Sequence, residues 1–306
     1  MLKRNSFSIV VALAILGAAP AATAADKTWR FDFDASAGAQ YDSNVGVVDL
    51  DTNSGEADSV ILLSGGGKLS FAPAKLPFSF SAGYDYSGTS YMRFEEFDLD
   101  LHHGVAELQY SNSYFDAALA YDQYEGVLDG ESYVSISQVS PSIARLFGSR
   151  VYARAAWIAS SRGYDLQSER NAENSALRLD TYVLLDNLDR YVSLGIQVSD
   201  ETAASDEFEY SGYQVSLAYM HTFDLELTQL KLKSSLRYED RDYAFDTPSI
   251  GAPRQDQRWR IGVEGEVPFS DHVSLRAIVE HTDNRSNLDA AALEKSTAGI
   301  ELRIAF

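Results

Sequence analysis

The chain has 306 residues, a formal net charge of −20, 45% hydrophobic residues and no cysteine, with a pI near 4.5 and a mean hydropathy of −0.21. Such acidity repels phosphates and argues against nucleic-acid binding, the missing cysteines exclude disulfides and a lipoprotein anchor, and beyond the first two dozen residues no apolar run is long enough for a membrane-spanning helix. A β-barrel stays open, because strands that alternate apolar and polar residues average to a neutral hydropathy.

The N-terminus reads as a signal peptide over residues 1–24. Lys3 and Arg4 make a basic start, Phe7 to Gly17 is a short apolar core, and Ala22-Thr23-Ala24 offers small residues for cleavage. Residues 25–306 remain for one barrel domain.

From Trp29 the pattern has period two. Trp29, Phe31, Phe33, Ala35, Ala37, Ala39 and Tyr41 alternate with Arg30, Asp32, Asp34, Ser36, Gly38 and Gln40, which predicts a strand with one face in lipid and one in water. The same alternation gives a second row at Ile61, Leu63, Leu69 and Phe71, and a third at Phe78, Phe80, Ala82, Tyr84 and Tyr86. The fourth is Gly104, Ala106, Leu108 and Tyr110, and the fifth Phe115, Ala117, Leu119 and Tyr121. A sixth, Val139, Pro141 and Ile143, is weaker because proline donates nothing to a ladder. Rows seven to ten run through Val151 to Trp157, Leu177 to Leu185, Val192 to Val198 and Tyr213 to Tyr219. Rows eleven to thirteen run through Leu230 to Tyr238, Trp259 to Val267 and Val273 to Val279. The fourteenth is Ala298, Ile300, Leu302, Ile304 and Phe306.

The fold class predicted is therefore all-β, a transmembrane antiparallel up-and-down β-barrel of 14 strands. An even count places both termini on the periplasmic side. Connections after even-numbered strands are tight, as at Ala72 to Pro77 and Phe147 to Arg150, whereas Asp42 to Asp58, Ser161 to Ser175, Glu239 to Asp256 and Asp283 to Lys295 are longer and polar, as outer loops are.

The outer loops are acidic. Asp42, Asp49, Asp51, Glu56 and Asp58 stand in the first with no base among them, and Asp200, Glu201, Asp206, Glu207 and Glu209 repeat the theme. Such carboxylates either bind divalent cations or make a solvated acidic exterior. No EF-hand spacing is present, so no metal site is assigned.

Inward positions are the candidate site. Asp85, Glu107, Asp116 and Asp122 line strands three to five, and Lys231, Lys233, Arg237, Arg258 and Arg260 line strands eleven and twelve. In a ring of fourteen these walls face one another, so the lumen either carries a transverse field that orients charged solutes or its charges pair with neighbours and fill the barrel. For catalysis, only His102 and His103 lie near an outer loop, with Asp98 or Asp100 as an orienting acid and no serine in a nucleophile setting; no catalytic residue and no cofactor is assigned.

Ending on Phe306, the last strand resembles the C-terminal strand of bacterial outer-membrane β-barrels. That resemblance implies that Ile300, Leu302, Ile304 and Phe306 are read by the barrel-assembly machinery and that this strand closes on the first. Tyr41-Asp42-Ser43-Asn44-Val45 resembles the opening hairpin of stand-alone proteobacterial barrels and of the barrel domain of surface lipoprotein assembly modifiers. The latter are thought of as fourteen-stranded and carry an N-terminal tetratricopeptide domain, which is not expected here because strand one begins within a few residues of the expected cleavage site. The expectation is a monomer in the bacterial outer membrane, in contact with lipid and lipopolysaccharide, acting as a passive channel for small polar or charged solutes. The alternative is a gated or non-conducting barrel that serves lipoprotein or polysaccharide export, or a structural membrane protein.

Overall fold

The computed structural model describes residues 28–47, 50–186 and 188–306; the expected signal peptide and Asp49 lie outside them. Fourteen antiparallel strands close into a single barrel in up-and-down order. They are β1 (Trp29–Asp42), β2 (Asp58–Phe71), β3 (Phe78–Tyr91), β4 (Leu99–Ser111), β5 (Asp116–Leu128), β6 (Glu131–Phe147) and β7 (Val151–Tyr164). There follow β8 (Ala172–Asp186), β9 (Arg190–Ala203), β10 (Tyr210–Asp224), β11 (Gln229–Thr247), β12 (Ala252–Pro268), β13 (Val273–Ser286) and β14 (Leu293–Ala305). The predicted strand number and order are those observed.

Register converts the period-two rows into one belt. Phe71 pairs with Phe80, Phe80 with Leu108, Leu108 with Leu119, and Leu119 with Pro141. On the far side Leu217 pairs with Leu236, Leu236 with Ile261, and Val263 with Val279. Because side chains alternate across a strand, matching one apolar pair in a ladder fixes the outward face of every neighbour. Pro141 is accommodated by a gap toward β7, where pairing passes from Val139 with Ala159 to Ser142 with Ala156.

Exposed aromatics mark the two ends of the belt. Tyr41, Tyr84, Tyr121, Trp157, Tyr213 and Trp259 form an upper ring, and Trp29, Phe31, Phe78, Phe147, Phe223 and Phe306 a lower one. From Trp29 to Tyr41 the chain runs roughly 40 Å at about 3.3 Å per residue. Tilted by about 40°, that spans roughly 30 Å along the barrel axis, the thickness of a bilayer's hydrocarbon core.

β14 closes on β1 through nine residue pairs, from Asp34 with Ala305 to Asp42 with Thr297. Phe306 continues the ladder by donating its N–H to Phe33 O (2.9 Å) and accepting from Phe33 N (3.1 Å). Its ring stacks on His272 at 4.8 Å. Every other barrel seam is longer; β1 with β2, for example, has fourteen pairs.

The outer connections differ from expectation. Glu239 to Asp256 is mostly strand, with β11 and β12 separated by residues 248–251 alone. Ser161 to Ser175 and Asp283 to Lys295 shrink to 165–171 and 287–292, each holding one 3-10 turn. Polar sequence disguised these ribbons, because a strand projecting beyond lipid has no apolar face to maintain. Asp129 and Gly130, with φ of 51° and 73°, join β5 to β6 in the two-residue turn that requires left-handed residues at both centres. Next to it Tyr133 is an extra residue on β6, since Gly126 pairs with Val134 and Val127 with Ser132. This bulge turns both Tyr133 and Val134 into the barrel mouth, where both are buried.

Candidate functional site

The lumen is divided by the first outer loop. A miniature hairpin, Gly46–Val47 against Thr52–Asn53, folds this loop back on itself. Val45 and Leu50 then enter an apolar cluster with Phe97, Tyr133, Val134, Ile136 and Tyr164. Those partners come from the β3–β4 connection and from β6 and β7, so the loop reaches well across the mouth. Val45 is 0% exposed and Leu50 4%; each such burial contributes about 1.5–3 kcal/mol.

Charge ties down the same loop. Arg254 on β12 donates two hydrogen bonds to Asp51, Nη2 to Oδ1 at 2.8 Å and Nη1 to Oδ2 at 3.0 Å, and Arg170 of the β7–β8 connection also bonds Asp51. Asp51 sits at φ 55°, a left-handed conformation that costs an L residue roughly 1–2 kcal/mol and that the two guanidinium groups offset. Arg254 lies beyond the upper aromatic ring. Burial opposes its charge, but Tyr243, Asp256 and Asp51 more than compensate and hold its pKa above the ordinary arginine value. Asn53 Nδ2 donates to Ala292 O (3.3 Å), and Asn44 Nδ2 to Glu294 O (3.1 Å).

The acidic residues of this loop therefore find bases elsewhere. Lys295 pairs with Asp42, and Arg93 approaches Glu56 at 3.7 Å and Asp58 at 3.5 Å. Glu201, from the second acidic run, is buried and accepts from Arg162 (3.4 Å), Tyr210 (3.1 Å) and Asn174 (3.3 Å). Among the described residues no group of three or more His, Asp or Glu side chains is placed to hold a metal ion. Pairing with bases elsewhere in the protein, which the bare sequence of the loop could not reveal, is what Asp42, Asp51, Glu56, Asp58 and Glu201 do.

Below the plug, the predicted wall residues all face inward. Asp85 and Asp122 flank one histidine: His103 lies 3.4 Å from Asp85 and 2.9 Å from Asp122, with its ring stacked on Tyr124 at 4.2 Å. Glu107 and Asp116 stand on the same wall and make no hydrogen bond or ion pair among the described residues. On the opposite wall Arg258 bonds Asn284 (3.2 Å) and approaches Glu239 (3.8 Å), and Arg260 approaches Glu280 at 3.4 Å. Lys231, Lys233 and Arg237 have neither ion pair nor hydrogen bond among the described residues, and the two lysines are exposed to the lumen. Part of each wall is thus neutralised by near neighbours, and part presents charge to the interior.

Residues the sequence reading did not single out complete the basic wall. Arg162 and Arg178 on β7 and β8, with Arg241 on β11, join Arg237, Arg258 and Arg260 around a cavity of about 240 Å³. Their inward parity was legible; their convergence depends on stagger between strands, which parity does not give. His102 proves to face outward, bonding Tyr84 OH at 2.6 Å, while Asp100 accepts from Tyr86 and Asp98 from the Tyr91 backbone N–H. Neither carboxylate orients a histidine.

The terminal-strand residues lie where expected. Ile300 pairs with both Ala39 and Ala277, and Leu302 with both Ala37 and Leu275, on the outer face. Ile304 pairs with Ala35 and Val273.

No family profile and no curated relative matches the sequence. Among solved structures, the chain is similar to outer-membrane expressed OmpT of Vibrio cholerae, with a TM-score of 0.53 and 10% identity over 91% of this chain and 98% of that one. It is similar also to the anion-selective porin from Comamonas acidovorans, with a TM-score of 0.52 and 9% identity over 91% of this chain and 99% of that one. The architecture of this chain, a closed fourteen-stranded barrel with an apolar outer belt, is that of an outer-membrane β-barrel.

Proposed function

We propose that this protein is an outer-membrane channel for small polar or charged solutes, gated at its outer mouth by its own first loop. The observation that carries the reading is the seating of that loop, with Leu50 in the apolar cluster and Asp51 held by Arg254 and Arg170. A barrel that only fills space in the membrane needs no such tether, and a permanently open pore would not place a dry cluster in its mouth. Lys231, Lys233 and Arg30, exposed on inward positions lower down, favour a wet lumen on the periplasmic side. The similarity in fold to an anion-selective porin is compatible with it.

On this reading the chain is exported by a cleaved signal peptide and inserted by the barrel-assembly machinery, which would engage Ile300, Leu302, Ile304 and Phe306. It works as a monomer surrounded by lipid and lipopolysaccharide, with no catalytic step. Planar-bilayer recording of the folded protein tests the proposal. Small or infrequent openings are expected from wild type, and large, steady conductance after deletion of residues 44–56. Silence from both, with folding verified by heat-modifiable migration, would overturn the channel and favour an export or structural role. Large steady conductance from wild type would overturn the gate.

A further inference from the structure

We infer that the cavity in the basic wall is a binding site for a small oxyanion, a carboxylate or phosphate group of a solute, with Arg237 as its principal donor. The inference deepens the channel reading by naming the class of solute. Arg178, Arg237 and Arg260 line the cavity, and one row of the ladder runs beside it: Asp180 pairs with Gly195, Gly195 with Ser216, Ser216 with Arg237, and Arg237 with Arg260. All five point inward. Two minimal side chains, Gly195 and Ser216, therefore separate an acid-braced arginine from two adjacent ones.

Arg178, two residues before Asp180 on β8 and on the same face, is fixed by donating Nε to both Asp180 oxygens at 2.9 and 3.0 Å. Its remaining nitrogens are turned toward the gap: a Cβ built on Gly195 would lie 3.7 Å from Arg178 Nη2, 3.0 Å from Asp180 Oδ1 and 2.5 Å from Ser216 Oγ. Any side chain there would push against Ser216 and the carboxylate that fixes Arg178. Glycine leaves this place to the Ser216 hydroxyl and to the Asp180 carboxylate that holds Arg178, and no turn or positive φ at Gly195 supplies another reason.

Arg237 is half-buried and has no hydrogen bond or ion pair among the described residues. Arg260 and Arg178 repel it, and Glu239 and Glu280 attract it. A guanidinium placed among like charges, partly withdrawn from water and short of acceptors, is a poor structural element. It becomes a favourable one when an oxyanion supplies the acceptors, because the planar fork matches carboxylate and phosphate oxygens bidentately. Counted across this girdle, Arg162, Arg178, Arg237, Arg241, Arg258 and Arg260 meet Asp180, Glu201, Glu239, Asp240 and Glu280, six positive charges against five negative. The imbalance suits an anion rather than a cation.

The test is equilibrium binding by the full barrel in detergent micelles, titrated with inorganic phosphate and, separately, with succinate. Arg237→Gln is expected to weaken binding by about tenfold or more, the effect of losing a charge-assisted hydrogen bond. Lys231→Gln serves as the control: about 20 Å lower on the same strand, it lies beyond the Debye length at physiological salt and should change affinity less than about twofold. Gly195→Ala presses on Ser216 and on the Asp180 carboxylate that fixes Arg178 while leaving every charge in place, and is expected to weaken binding as well, so the proposal stays testable if Arg237→Gln does not fold. Wild-type affinity in Arg237→Gln or in Gly195→Ala, equal loss in Lys231→Gln, or no binding by wild type would each overturn the site. Binding in micelles does not require conduction. A silent bilayer with intact binding would refute the channel alone, and conduction without binding would refute this site alone.

Discussion

Asp51 and Arg254, 203 positions apart in sequence, meet through two hydrogen bonds of 2.8 and 3.0 Å at the outer mouth of the barrel. One residue belongs to the first outer loop and the other to the twelfth strand, three places round the ring from β1, so the contact ties the loop to a separate part of the wall. Asp51→Asn keeps the shape and removes the charge. It should release the loop and raise the open probability in bilayer recordings, and Arg254→Gln should do so too; the double variant should fall short of the sum of the two, because each single change already removes the pair they share. Strict additivity of the two would show that the pair is not the latch.

Apolar packing holds the other side of the plug. Phe97 is 1% exposed and touches the ring of Tyr91 edge-on at 6.4 Å. Phe97→Ala should cost about 3–5 kcal/mol of local packing, and because the loop is a separate cooperative unit the barrel itself should survive. Limited proteolysis of proteoliposomes should then cut within residues 43–57, with heat-modifiable migration unchanged.

The outer belt predicts a depth-dependent penalty. Ile300 lies half-exposed on the lipid face between Ala39 and Ala277, so Ile300→Arg should destabilise the barrel by about 2–4 kcal/mol, measured by urea unfolding in lipid vesicles. Arginine at the neighbouring inward position 299 meets another obstacle: a Cβ on Gly299 lies 3.2 Å from Gln40 Cβ, so crowding rather than lipid would set its cost.

Charge in the lumen should appear in selectivity. Replacing Lys231 and Lys233 together by glutamine removes two exposed positive charges from the lower wall, and reversal potentials across a salt gradient should move toward cation preference. Glu107→Gln and Asp116→Gln on the facing wall should move them the opposite way. No movement in either direction would mean that solutes do not pass these walls.

The barrel was legible in the sequence because lipid imposes a simple rule on every strand: alternate residues must be apolar, whatever else they do. Trp29 to Tyr41 obeys it as plainly as Ala298 to Phe306, and both lie where the alternation places them. The plug was not legible. Val45 and Leu50 belong to no periodic segment, and the partners that bury them, among them Tyr133 and Phe97, come from distant parts of the chain. Tyr133 points inward only because of a bulge, a local irregularity with no fixed sequence mark. The adjacent Asp129-Gly130 turn did carry a mark, since that dipeptide between two strands signals a two-residue hairpin. Gly195 and Ser216 are ordinary small residues until register sets them beside Arg237.

The nine-pair seam between β1 and β14 makes this vessel a cask with one short stave. Hydrogen bonds along a seam break together, so the joint with the fewest is the one through which the wall parts at least cost. Trp29 to Asp32 extend past the end of β14 and have β2 as their only ladder partner. Amide exchange should therefore be fastest there, and a barrel opening under heat or denaturant should peel from its periplasmic rim upward along this line, with the stacking of Phe306 on His272 as the clasp that delays it.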